Sequence, residues 1–120
     1  MTQIDLSRAE AIARLNDNVR FGIDRDAKIV FTHACIETFA NNNFVRGIIA
    51  QAHIRRAIEH HQFSADDPYG ERDFGAFEFQ GERLFFKIDY YDLALEFGSE
   101  DPADASVTRR VMTIMLASDY

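Results

Sequence analysis

FGAFEFQGERLFFKIDYY, residues 74–91, is two aromatic and branched runs separated by Gln80-Gly81. A two-residue connection ending in glycine suits the primed turns of a tight hairpin, which need positive φ. The stretch is therefore expected to form strands over 74–79 and 82–91. With Gln80 and Gly81 at the tip, 79 faces 82, 77 faces 84, 75 faces 86 and 73 faces 88. Period two then puts Phe77, Phe79, Leu84, Phe86, Ile88 and Tyr90 on one face, with Gly75 leaving room for the ring of Phe86. The opposite face carries Glu78 across from Arg83 and Arg72 across from Asp89, with Phe85, Lys87 and Tyr91 beside them. One face needs a cover, and the other reads as a half-exposed ladder of charges and aromatics.

Just upstream, DDPYGERDFG over 66–75 places Asp67 at i, Pro68 at i+1 and Gly70 at i+3 of a type I turn. The turn is expected to present Asp66, Tyr69 and Glu71 outward. Further back, Ser7 with Glu10 three residues on has capping-box spacing, and Ile12, Leu15 and Val19 recur at helical period, giving a helix over 7–21 that ends at Gly22. AKIVFTH, 27–33, is a short β-branched strand. After Asn41, Asn42 and Asn43, any of which suits a cap, a helix runs over 44–61. Its apolar stripe is Phe44, Val45, Ile48, Ile49 and Ala52, from which Ile54 and Ile58 drift. Downstream of GSEDPADAS, the stripe Val107, Val111, Ile114 and Met115 gives a last helix through 118, capped by Asp104 or Ser106. The order is α-β-α-β-β-α. The fold class is α+β, with a small antiparallel sheet of about three strands packed on three helices.

A chain of 120 residues is expected to form one domain, 1–120, around one core. Its apolar runs are too short to span a bilayer, and the N-terminus lacks the basic-then-apolar layout of a signal peptide, so a cytoplasmic protein without membrane association is expected. Cys35 is the only cysteine, which excludes an internal disulfide and a thiolate zinc cluster and leaves a small buried hydrophobe. The net charge of −7 is unevenly placed. Residues 1–62 sum to +1 and residues 63–120 to −8. Such a field repels nucleic-acid phosphate and draws basic partners.

The stretches Asp67 to Gly75, Lys87 to Asp92 (KIDYYD) and Gly98 to Tyr120 resemble an uncharacterised family of short bacterial proteins, a domain of unknown function with DPYGEHDFG-like and KIDYYD-like motifs. Arg72 stands where that family's pattern has histidine, and Ala105 where it has proline. The resemblance implies no activity. Its association with plasmids and integrated elements implies an accessory or anti-defence role, of the kind that inhibits a host nucleic-acid machine.

Read as chemistry, the carboxylates Asp66, Asp67, Glu71, Asp73, Glu78, Asp89 and Asp92 suggest a metal-dependent hydrolase or nuclease. A hard cation needs several oxygen ligands within about 2–2.6 Å of one point. Glu78 and Asp89 lie on the order of 20 Å apart along the hairpin at about 3.3 Å per residue, so they do not share an ion. Asp73 and Asp89 are expected on opposite faces. His53 and His60, seven apart on one helix, do not match one zinc, and His60 and His61 suit a helix C-terminus. No catalytic residue, metal site or cofactor is therefore assigned, and direct nucleic-acid binding is not expected. The stretch 66–104 holds twelve carboxylates against three bases. With its aromatics it reads as a recognition surface for a protein partner with a basic surface, formed by Asp66, Tyr69, Glu71, Glu78, Phe85, Lys87, Asp89, Tyr91 and Asp92. The expected function is a non-enzymatic acidic binding module, the carboxylate hydrolase being the alternative, and a homodimer stays open.

Overall fold

The computed structural model describes residues 7–63, 67 and 69–120; Asp66, and Pro68 of the proposed turn, lie outside them. The elements are α1 Arg8–Arg20, β1 Lys28–Phe31, α2 His33–Ala40, α3 Phe44–Glu59, β2 Phe74–Phe79, β3 Glu82–Tyr91 and β4 Arg109–Leu116. The four strands lie in the order β1-β4-β3-β2, with β1 parallel to β4 and the other pairs antiparallel.

The hairpin has the register expected of it. Phe79 faces Glu82, Phe77 faces Leu84 and Gly75 faces Phe86, and Ile88 donates its N–H to the Asp73 carbonyl at 2.8 Å. Gln80 and Gly81 have φ of 48° and 82°, the positive pair that a type I′ turn requires. Leu84, Phe86 and Ile88 are buried with Met112 and Ile114 of β4, under Val19 of α1, Cys35 of α2 and Ile54 and Ile58 of α3. All three helices thus contribute to one face of the sheet. The thiol of Cys35 is raised to about 11 by burial, with Asp119 adding to it.

α1 begins where Ser7 Oγ accepts the Glu10 N–H at 3.1 Å. The Glu10 carboxylate is spent on Arg14 and Arg72. α2 was not expected, because the three asparagines read as a single start signal. They divide the work. Asn41 closes α2 in the left-handed region at φ 48°, and the Asn43 side chain accepts the Arg46 N–H to open α3. At the other end of α2, Thr32 Oγ1 accepts the Cys35 N–H.

The C-terminal segment corrects the expected last helix, the expected three strands and the expected antiparallel sheet, which is mixed because β4 runs parallel to β1, and with α2 it changes the expected order to α-β-α-α-β-β-β. Asp104 does cap, accepting from Ser106, but the helix is a single 3₁₀ turn at Ala105–Val107. Residues 109–116 then form β4, inserted between β1 and β3. The apolar residues there fit both periods. β-branching and the need of β3 for a second partner favour the strand. Alternation puts Arg110, Met112 and Ile114 on the core face, and Arg110 at such a position hid the period-two pattern.

Arg110 is buried. Its Nε donates to Asn16 Oδ1 at 2.7 Å and its Nη2 to the Pro102 carbonyl at 2.5 Å, while its guanidinium lies 4.9 Å from the centroid of the Tyr90 ring. Asn16, also buried, returns its amide to the Glu71 carbonyl and the Tyr90 hydroxyl.

Two substitutions test this arrangement. Arg110→Met keeps much of the side chain but strands the Asn16 and Pro102 oxygens, and should cost about 1–3 kcal/mol in denaturant unfolding. Gly75→Ala should cost at least a similar amount, about 1–3 kcal/mol from overpacking, because a Cβ there would lie 2.6 Å from Phe86 Cζ and 2.8 Å from His61 Nε2.

Candidate functional site

The loop before β2 is held by two sets of bonds. Arg72, at φ 53°, donates Nε and Nη2 to the two oxygens of Asp17 at 3.0 and 2.7 Å, with Glu10 3.4 Å away. Its backbone N–H reaches Asp67 Oδ2 at 3.1 Å. The expected pairing of Arg72 with Asp89 is therefore corrected. The left-handed backbone turns Arg72 toward α1, and Asp89 instead meets Lys87 at 3.2 Å. The hydrogen bonds that Arg72 donates to Asp17, with Glu10 behind, push the Arg72 pKa further up. Burial works against the Asp17 carboxylate, but bonds from Arg72 and Arg20 outweigh it and hold its pKa below the ordinary value.

The second set concerns Glu71, which was expected to face outward. Its carboxylate accepts from the Tyr90 hydroxyl at 2.9 Å and its carbonyl from Asn16. It is an anchor of the loop. At the ends of the proposed turn, the Gly70 N–H reaches the Asp67 carbonyl at 3.3 Å.

Held this way, the loop walls an open depression of about 640 Å³ at the start of β2. Its lining includes three carboxylates, Asp67, Asp73 and Asp89, together with Tyr69, Phe74, Tyr120, Lys87 and His61. Asp73 and Asp89, expected on opposite faces, meet here because Asp73 precedes the strand at its open end. Burial raises the Asp73 pKa, and the charges of Glu71, Asp67 and Asp89 raise it further. His61 is shifted the other way, lowered by burial and then by the Arg20 charge. Its ring stands edge-on to Phe63 and Phe86, over Gly75. Sequence reasoning assigned His61 to helix capping; its position over a glycine that tolerates no Cβ carries no spacing signal.

Some of the other expected residues fall elsewhere. Glu78 meets Arg83 at 3.7 Å near the hairpin tip, and Asp92 accepts the Glu96 N–H in the loop after β3. The register places Phe85, Lys87, Asp89 and Tyr91 on the sheet face opposite the helices, with Val111, Thr113 and Met115 of β4. There Phe74, Phe85 and Tyr120 form an aromatic trio, with centroids 5.1, 5.5 and 5.9 Å apart. Of the nine expected residues, Tyr69, Lys87 and Asp89 line the depression, and Phe85 touches its rim through Phe74 and Tyr120. Asp66 lies outside the described residues.

Among the described residues, no group of three or more His, Cys, Asp or Glu side chains is placed to hold a metal ion, and no helix is long and apolar enough to cross a membrane.

The crowding of Asp73 has a stability consequence. A carboxyl whose pKa is raised by folding weakens the native state above that raised value, and the cost fades as pH falls toward the unfolded value of 3.8. Asp73→Asn should therefore melt above the parent at pH 7, and the gap should close as pH approaches 4 in thermal scans.

Compared with known proteins, residues 34–119 match the family model described as "Protein of unknown function (DUF3768)". No curated protein and no solved structure matches the chain.

Proposed function

The chain belongs to that family of unknown function, and from this premise we propose that it is a non-enzymatic binding module that receives a cationic side chain of a basic protein partner in the depression at the start of β2. The observation that carries the reading is the combination there of three carboxylates with aromatic walls. Carboxylates attract lysine or arginine, and the faces of Tyr69, Phe74 and Tyr120 supply cation–π contact. A cation among them relieves the repulsion that adds to burial in raising the Asp73 pKa, so binding favours the ionised Asp73 carboxylate. The −8 charge of residues 63–120 steers such a partner toward this half of the chain. Occupying the phosphate-binding groove of a host nucleic-acid machine, as an accessory or anti-defence inhibitor, is the concrete form this activity takes.

One observation favours a second reading, hydrolysis. Asp73, inclined to hold a proton, and His61, inclined to release one, line the same depression, and opposed shifts of this kind suit an acid and base pair.

Titration calorimetry with an arginine-rich peptide separates the two. The binding reading expects an affinity that falls with salt, rises from pH 4 to 7, and drops about tenfold in Asp67→Asn and in Tyr69→Ala. Peptide binding unaffected by both substitutions, together with hydrolysis of ester or phosphoester probes lost in His61→Ala, would replace it with the hydrolase.

A further inference from the structure

Helix α3 turns its most regular apolar stripe toward solvent. Phe44 is 82% exposed, Val45 62%, Ile48 50% and Ile49 51%. Its buried residues are Gly47, Ala50, Ile54 and Ile58. The inversion has a local cause. At its first turns α3 rests on α2 through small residues, and a Cβ on Gly47 would come within 3.1 Å of Ala40 Cβ. Close approach of the two helices at Gly47 and Ala40 leaves no room for large side chains at that crossing, so those of α3 point away from it. Four neighbouring large apolar side chains make a patch on the order of 400 Å², within the about 300–600 Å² of the largest patch on a typical soluble monomer, which is often functional.

We propose that this patch is the interface of a two-fold homodimer, with a second copy of the chain as its occupant. Knob and groove lie on the same patch. Phe44 projects beside a groove of about 450 Å³ between α2 and α3, lined by Ile36, Ala40, Gly47 and Ile48. Two-fold pairing requires such self-complementarity, because Phe44 of each copy then enters the groove of the other. The charges agree. Glu37 lines the groove and Arg46 is exposed on the first turn of α3, one acid and one base, so two copies meet without net repulsion here. The apolar centre with Asn42, Asn43 and Gln51 around it has the layout of a stable interface, and the patch supplies about half of the roughly 800 Å² per partner that one of standard size buries. The residues of the acidic depression take no part in this contact, so the dimer stands whether or not that depression binds a cation.

Light scattering on a sizing column, with sedimentation equilibrium, tests the dimer. The parent should run as a dimer at micromolar concentration. Phe44→Glu and Ile48→Glu should be monomeric with unchanged circular dichroism, since both side chains are exposed. The milder Phe44→Ala should raise the dimer dissociation constant about 30-fold, the scale of a central aromatic anchor. A parent that stays monomeric at about 100 μM overturns the proposal, as does a dimer that withstands Phe44→Glu and Phe44→Ala alike.

Discussion

A positive charge buried in the sheet organises this protein. Arg110 occupies a core-face position of β4 with no carboxylate among the described residues hydrogen-bonded to it, and burial lowers its pKa against weak support from Tyr90, Asp24 and Glu71. Its donors are answered by Asn16 of α1 and the Pro102 carbonyl, and its face by Tyr90 of β3. Asn16 passes the linkage on to Glu71. A helix, two strands and two loops therefore share one network, in which losing any member leaves a buried polar atom without a partner. The loop that walls the depression hangs from this network on one side and from the Arg72–Asp17 pair on the other.

What the sequence shows and what it hides follow from how local each determinant is. The hairpin is legible because turn chemistry and period two act within eighteen residues. α1 and α3 are legible because caps and spacing do. β4 is hidden because its strand character depends on β1 and β3 lying either side of it, and an arginine interrupts its apolar alternation. α2 is hidden because Asn41 looks the same whether it ends one helix or starts another. In α3 the regular apolar stripe faces solvent and the residues that drift from it, Ile54 and Ile58, are the buried ones. Periodicity finds a stripe but not the side from which it is covered.

The depression was partly legible for the same reasons. Tyr69, Lys87 and Asp89 follow from the turn and the hairpin register. The inward course of Glu71 depends on the Tyr90 hydroxyl, and the place of His61 on a glycine fourteen positions away, so neither leaves a mark in local spacing. The depression also joins two structural strategies. Its acids add to burial in raising the Asp73 pKa, while the acids behind it, Asp17 and Glu10, are neutralised by Arg72. Charge is thus neutralised toward the helices and only partly so toward solvent, where Lys87 answers Asp89 alone.

The insertion of β4 between β1 and β3 also bears on how the chain is made. β1 waits for a neighbour more than seventy residues further along, and β3 has one bare edge until the same strand arrives. During synthesis the helices and the hairpin can form as they emerge, but the two halves of the sheet stay apart until residues 109–116 have left the ribosome. Until then the nascent chain carries two strand edges that only β4 will pair, the condition under which partly made proteins pair with one another and most depend on chaperones.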